Sequence, residues 1–149
     1  MAKATVKLPE EFLKKLSRLG DKTDEITAKV LESGSEIVFD KVKSNLESIV
    51  GKDTKDESRS SGELIGSLGI SSVKVDRDGN SNIKIGFSEP RKDGKSNAMI
   101  ANIIEYGKHN QPARPFLKPA VRATKQTCLD FMINKLEEEI NKVWDYLKN

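Results

Sequence analysis

The 149-residue chain has one cysteine, one histidine, one tryptophan and an aromatic content of only 5%. A single cysteine excludes an internal disulfide framework and fits a reducing compartment. His109 has no partner residues at a spacing typical of a metal or catalytic site, so we interpret it as an exposed loop residue. Cys128 falls on an apolar helix face, and we interpret it as a small buried side chain.

Long apolar runs and a strong charge imbalance are also missing. No stretch approaches the roughly 18 apolar residues of a membrane span, and the opening MAKATVKLPEEF lacks the apolar region of a secretion signal. The net charge of +3 comes from 26 basic and 23 acidic residues, so composition alone does not favour a nucleic-acid-binding protein. We expect a protein made in a cytoplasm, with residues 1–149 forming one domain.

Two segments resemble ligand-binding motifs, but each lacks a residue that its motif requires. Residues 94–96 resemble the end of a phosphate-binding loop, but Glu89 stands where that motif requires glycine. Residues 76–80 resemble the start of a calcium loop, but Phe87 stands where the final glutamate belongs. The glutamates at 137–139 are typical of a solvated helix face. We therefore predict that the protein is not an enzyme and binds no cofactor or metal.

Helical spacing of apolar residues dominates both ends of the chain. It predicts a short helix over residues 9–19 and a long helix over residues 22–50. Within the long helix, the stretch Ser33-Gly34-Ser35 predicts a kink or the close approach of another backbone. Residues 1–50 are thus a helical N-terminal part.

Residues 60–149 are predicted to contain a hairpin, a short helix and a final helix. The segments ISSVKV and NIKIGF within residues 70–88 alternate in polarity around the turn DRDGNS, as in an antiparallel hairpin. The polar segments 51–61 and 89–96 are predicted loops. Because a lone hairpin is marginally stable, it must pack on helices or pair with another strand. The predicted fold class is α+β, a small antiparallel sheet packed against long N-terminal and C-terminal helices.

The segment EYGKHNQPARPFLKPA, residues 105–120, is called the junction below. It holds three of the five prolines and the single histidine. Gly107 is predicted to end a helix over residues 97–106, and the last helix is predicted to begin near Pro115 or Pro119 and reach Leu147. Phe116, the one large apolar residue between them, requires either the core or a partner's pocket.

The run MIANIIEYG followed by QPARPFLKPA resembles a motif of the small tail-component proteins of long-tailed bacteriophages and prophages. These are described as head–tail joining or tail-completion proteins. The upstream segment SGELIGS, residues 61–67, resembles their Thr/Ser-Gly-x-Leu-x-x-Ser element. Lys108 departs from the family pattern, in which threonine or serine often follows the glycine. The matching positions in the junction are Glu105, Tyr106, Gly107, Pro115, Phe116, Pro119 and Ala120.

The resemblance implies a structural component of the phage neck or tail, present in the virion and assembled in the host cytoplasm. Its implied partners are further copies of itself, in a ring-forming oligomer, and other neck or tail proteins. From the small sheet and the stiff junction, we predict contacts at the hairpin edges and in the junction. The candidate interface residues are Glu105, Tyr106, Gly107, Pro112, Arg114, Pro115, Phe116 and Pro119.

Three other interpretations stay open, one of which is a small regulatory or unassigned enzyme, although the missing catalytic motifs argue against it. Pro115, Phe116 and Pro119 have a purely internal role if they only start a helix and fill the core. A small nucleic-acid-binding protein is the alternative function, because basic residues cluster near the start of the last helix. That cluster comprises Arg114, Lys118, Arg122 and Lys125.

Overall fold

A computed structural model describes residues 2–7, 20–50, 62–89, 91 and 93–148. The predicted helix over 9–19 and loop over 51–61 lie outside the described residues. The strands are β1 (Ala4–Lys7), β2 (Leu68–Ile70), β3 (Lys74–Val75) and β4 (Ser81–Phe87). The helices are α1 (Thr23–Ile49), α2 (Glu63–Ser67), α3 (Asn97–Tyr106) and α4 (Leu117–Lys148). Long helices flanking a small antiparallel sheet confirm the α+β fold class.

The sheet contains one strand that the sequence analysis did not predict. β1 pairs antiparallel with β4, placing Ala4 opposite Ile85, and β2 and β3 pair with β4 from the other side. β4 is therefore central, and β1 covers one of the two edges expected to be free in a lone hairpin. The alternation in ATVK is the signal for this strand, since Ala4 and Val6 are buried while Thr5 is exposed.

The strand predicted over ISSVKV is broken in two by a bulge. The register shifts by one residue between the pairs Ile70–Ile85 and Lys74–Asn82. The Lys84 amide donates to the Ser71 hydroxyl at 2.9 Å, where a regular ladder has a backbone carbonyl. The alternation in ISSVKV predicts Val73 and Val75 on one face of the sheet, and this prediction is wrong. Because of the extra residue, Val73 packs against the core while Val75 is 66% exposed.

The long helices α1 and α4 pack antiparallel, so that residue 34 faces residues 128–132. A Cβ atom at Gly34 would lie 2.6 Å from Met132 Cγ. The Cys128 thiol donates to the Gly34 carbonyl at 3.3 Å, and burial raises the pKa of that thiol. The predicted close approach at Gly34 is therefore real, but it involves side chains of α4 and not another backbone.

One face of the sheet lies against α1 and buries Ile83 and Ile85, which are 1% and 0% exposed. These side chains form a single core with residues of α1, α3 and α4. Across the described ranges, no helix combines the length and apolar character needed to cross a bilayer. Phe116 of the junction joins this core beside Phe87, the last residue of β4.

Candidate functional site: the junction

α3 begins and ends with residues suited to those positions. The Ser96 hydroxyl accepts a hydrogen bond from the Met99 amide at 3.2 Å, and Glu89 accepts one from the Ala98 amide at 2.8 Å. Hydrogen bonds from Ala98 and then Ser96 hold the pKa of Glu89 below its usual value. Gly107 ends the helix, as predicted, with φ of +78° and its amide bonded to the Ile103 carbonyl at 2.8 Å.

Gly107 is required by both its conformation and its surroundings. A Cβ atom there would lie 2.7 Å from the Ala113 nitrogen, closer than non-bonded atoms approach. After Gly107 a tight turn follows, in which Lys108 and Gln111 exchange backbone hydrogen bonds of 2.9 and 3.0 Å. The Arg114 amide then donates to the Ile104 carbonyl at 2.7 Å, so the junction folds back along α3.

Glu105 is the centre of the junction. Its side chain is buried, with the residue 2% exposed. One carboxylate oxygen accepts from the amides of Phe116 and Leu117, each at 2.8 Å, and the other accepts from Lys118 at 3.0 Å. The next residue, Pro119, has no amide hydrogen to satisfy. The carboxylate of α3 thus caps all the available amides at the start of α4, where negative charge is favourable.

The junction is also tied to the end of α1. The Arg114 guanidinium donates to the Ile49 carbonyl at 3.1 Å, in the last turn of that helix. The Asn45 amide group donates to the Phe116 carbonyl at 3.1 Å. A cation at a helix C-terminus and a carboxylate at a helix N-terminus both complement the helix dipoles. Two charged side chains of the junction therefore fix three helices relative to one another.

Phe116 fills the space beneath this network. It is 0% exposed, and its ring meets that of Phe87 edge-on, with 6.2 Å between the ring centroids. Glu105, Phe116 and most of Arg114 thus face inward. The outer side of the junction is different: Tyr106 is 55% exposed, and Pro112, Pro115 and Pro119 are exposed as well. The Lys118 ammonium lies 5.2 Å from the centre of the Tyr106 ring.

Sequence reasoning identified the junction but not its internal partners. Asn45, Ile49, Phe87 and Glu89 all stabilise it or the adjoining helix, and the sequence analysis predicted this role for none of them. Asn45 lies 71 positions from Phe116, and no local spacing relates the two. Glu89 lies seven positions before the N-cap residue Ser96, outside the spacing of a capping box, so no local pattern identifies it as a cap.

Comparison with protein families gives one result. Residues 10–107 match the model of the family described as "Bacteriophage HK97-gp10, putative tail-component". The chain belongs to this HK97-gp10-like family. The match runs to Gly107, at the end of α3, and so includes Glu105 and Tyr106 but not the Pro-Phe-x-x-Pro-Ala element. Neither the comparison with curated proteins nor the comparison with solved structures gave a match.

Family membership confirms the resemblance to phage tail components. It indicates a phage tail component, which suggests a place in the virion and interaction with other phage structural proteins. The alternative of a nucleic-acid-binding protein gains no support from it. Within the basic cluster, Arg114 donates to the end of α1 and Lys118 lies against Tyr106, so two of its cations contact groups of the chain itself.

Proposed function

We propose that the protein takes part in head–tail joining or tail completion as an assembly subunit. It binds further copies of itself and other phage neck or tail proteins, and the outer side of the junction forms part of the contact surface. Membership of a tail-component family supports the setting. The observation that carries the proposal is the division of the junction into a fixed inner side and an exposed outer side.

The outer side has properties suited to binding. Because Glu105 and Arg114 hold the backbone from within, the exposed residues keep their positions without a partner. Binding through a pre-organised surface loses less conformational entropy. Proline loses little side-chain entropy on contact, and tyrosine is enriched in protein interfaces. The exposed set is Tyr106, Pro112, Pro115 and Pro119.

A phage that encodes the chain provides the test. We expect Tyr106→Ser to leave the thermal midpoint of the purified protein unchanged, because this side chain is half exposed. In infected cells the same variant should accumulate separate filled heads and tails, seen by electron microscopy, with a plaque titre at least tenfold lower. Glu137→Ser, at an exposed site on α4 away from the junction and the sheet, is the control. Complete particles at normal titre with Tyr106→Ser would contradict a role for this side of the junction.

A further inference from the structure

A groove lies beside the junction on the outer side of α3. It has a volume of about 620 Å³. Met99, Ile100 and Ile103 form its apolar wall, and Met99 is 63% exposed. Lys95 and Lys108 stand at its two ends. Within the described residues Lys108 forms no ion pair, so the groove combines an apolar wall with an available positive charge.

A surface of opposite character lies on α4. Phe131 is 45% exposed, which is unusual for a phenylalanine in a small domain. Thr127 and Asn134, four residues before and three after it, are exposed polar neighbours on the same face of the helix. The adjacent Asp130 carboxylate accepts from Gln126 at 2.9 Å and forms no ion pair in the part of the chain that the structure describes. We call Thr127, Asp130, Phe131 and Asn134 the ridge.

The groove and the ridge each contain one of the five exposed large apolar side chains of the described residues, and a third lies on the groove's helix, α3. The five are Val75, Met99, Tyr106, Val121 and Phe131. Met99 lies in the groove, Tyr106 extends the same stripe of α3 one turn beyond Ile103, and Phe131 forms the ridge. An apolar wall next to an unpaired lysine complements an apolar side chain next to an unpaired carboxylate.

We propose that the ridge of one copy of the chain docks in the groove of a second copy, with Phe131 against Met99 and Ile103 and Asp130 near Lys108. This inference rests on the proposed function, in which copies of the chain bind each other. Because groove and ridge are different surfaces of one molecule, the contact is heterologous and repeats from copy to copy. Such a contact closes into a ring when the rotation between copies permits it.

The test uses two variants, each blocking one surface. Met99→Glu blocks the groove, Phe131→Glu blocks the ridge, and both sites are exposed enough for the monomer to fold. Light scattering of the full chain over a range of concentrations should show an oligomer for the natural protein and monomers for each variant. Mixed in equal amounts, the variants should form a 1:1 dimer, because one retains a ridge and the other a groove. Val75→Glu is the control and should assemble normally.

A charge exchange tests the polar part of the contact. Lys108→Glu and Asp130→Lys should each weaken assembly at least tenfold, and the double variant should recover it.

If the natural chain assembles while both blocking variants assemble equally well, the groove–ridge contact is wrong although self-assembly stands. A natural chain that stays monomeric at every concentration would also overturn the contact, and the phage experiment above would still decide the joining function. If Val75→Glu lost assembly to the same extent as the blocking variants, the contact would lie elsewhere on the molecule.

Discussion

The helix pair α1 and α4 has a buried glutamate at each end, and the two are held in different ways. Glu105, 2% exposed, accepts hydrogen bonds from three backbone amides at the start of α4. Glu139, 5% exposed, lies among the ammonium groups of Lys29, Lys135 and Lys142, at 3.5, 3.5 and 3.2 Å. The carboxylate of Glu105 thus accepts hydrogen bonds from backbone amides, whose positions are fixed. The carboxylate of Glu139 pairs with charged side chains, which can move.

This difference determines how each end responds to its surroundings. Backbone amides cannot move away or lose their polarity, so the junction end depends on geometry. The lysines at the other end are partly exposed, and salt screens charges that water can reach. We therefore expect the junction to keep one shape under conditions in which the far end loosens, which suits a junction that presents a binding surface.

Removing the ring beneath the junction should have the largest effect. Phe116→Ala should lower the free energy of unfolding by about 3–5 kcal/mol, because it empties a fully buried site next to Phe87. Urea unfolding followed by circular dichroism measures the loss. Val121→Ala on the same helix, at a side chain 37% exposed, is the control and should change stability little. A small loss for Phe116→Ala would mean that its role lies in binding and not in the core.

Removing the carboxylate that caps α4 should come next. Glu105→Ala leaves three amides without an acceptor in a buried place, and we expect a loss of about 3 kcal/mol. The loss should persist at 1 M salt, since the acceptor is shielded from solvent. Glu137→Ala, at an exposed glutamate of α4, is the control. Equal losses in the two variants would show that the amides find other acceptors.

Substituting the glycine at the end of α3 should have an intermediate effect. Gly107→Ala combines an unfavourable positive φ with a Cβ atom 2.7 Å from the Ala113 nitrogen, and we expect a loss of about 2 kcal/mol. Gly79→Ala is the control, because its φ of +82° is also positive and no atom lies within 4 Å of the added Cβ. The extra loss of stability at Gly107, measured by thermal unfolding, reports the contact together with the extended ψ of 177° at that residue. Identical midpoints would mean that residues 111–113 shift at no cost.

The smallest effect is expected at the far end. Glu139→Gln should cost about 1 kcal/mol at low salt and less at high salt. Burial alone raises the pKa of Glu139, but the hydrogen bond from Lys142 and the charges of Lys29 and Lys142 outweigh it and hold that pKa below 4.5. Its contribution is therefore full at neutral pH and is lost as the pH falls through the lowered pKa. Unfolding measured against pH should show this loss in the natural protein and not in Glu139→Gln; matching pH profiles would contradict the assignment.

Local patterns in the sequence predicted the elements near the site well. The structure confirms the long N-terminal helix, the end of α3 at Gly107 and a last helix starting at Leu117, between the two prolines proposed for its start. Contacts between distant residues were not predictable in this way. The bulge at Ser71, the pairing of β1 with β4 and the reach of Asn45 to Phe116 depend on where the folded chain brings residues together. The sequence analysis selected Glu105 because it fits the motif of the phage tail components. Only the structure shows which backbone amides donate to its carboxylate.

The cap on α4 has a consequence for the order of folding. Glu105 is only eleven positions from Phe116, whereas Lys29 and Glu139 are 110 positions apart. Closing a short loop costs less entropy than closing a long one, and the first turn of a helix is the costly one to form. We therefore expect α3 to nucleate α4 at the junction, and α4 then to grow along α1 until Glu139 reaches its lysines.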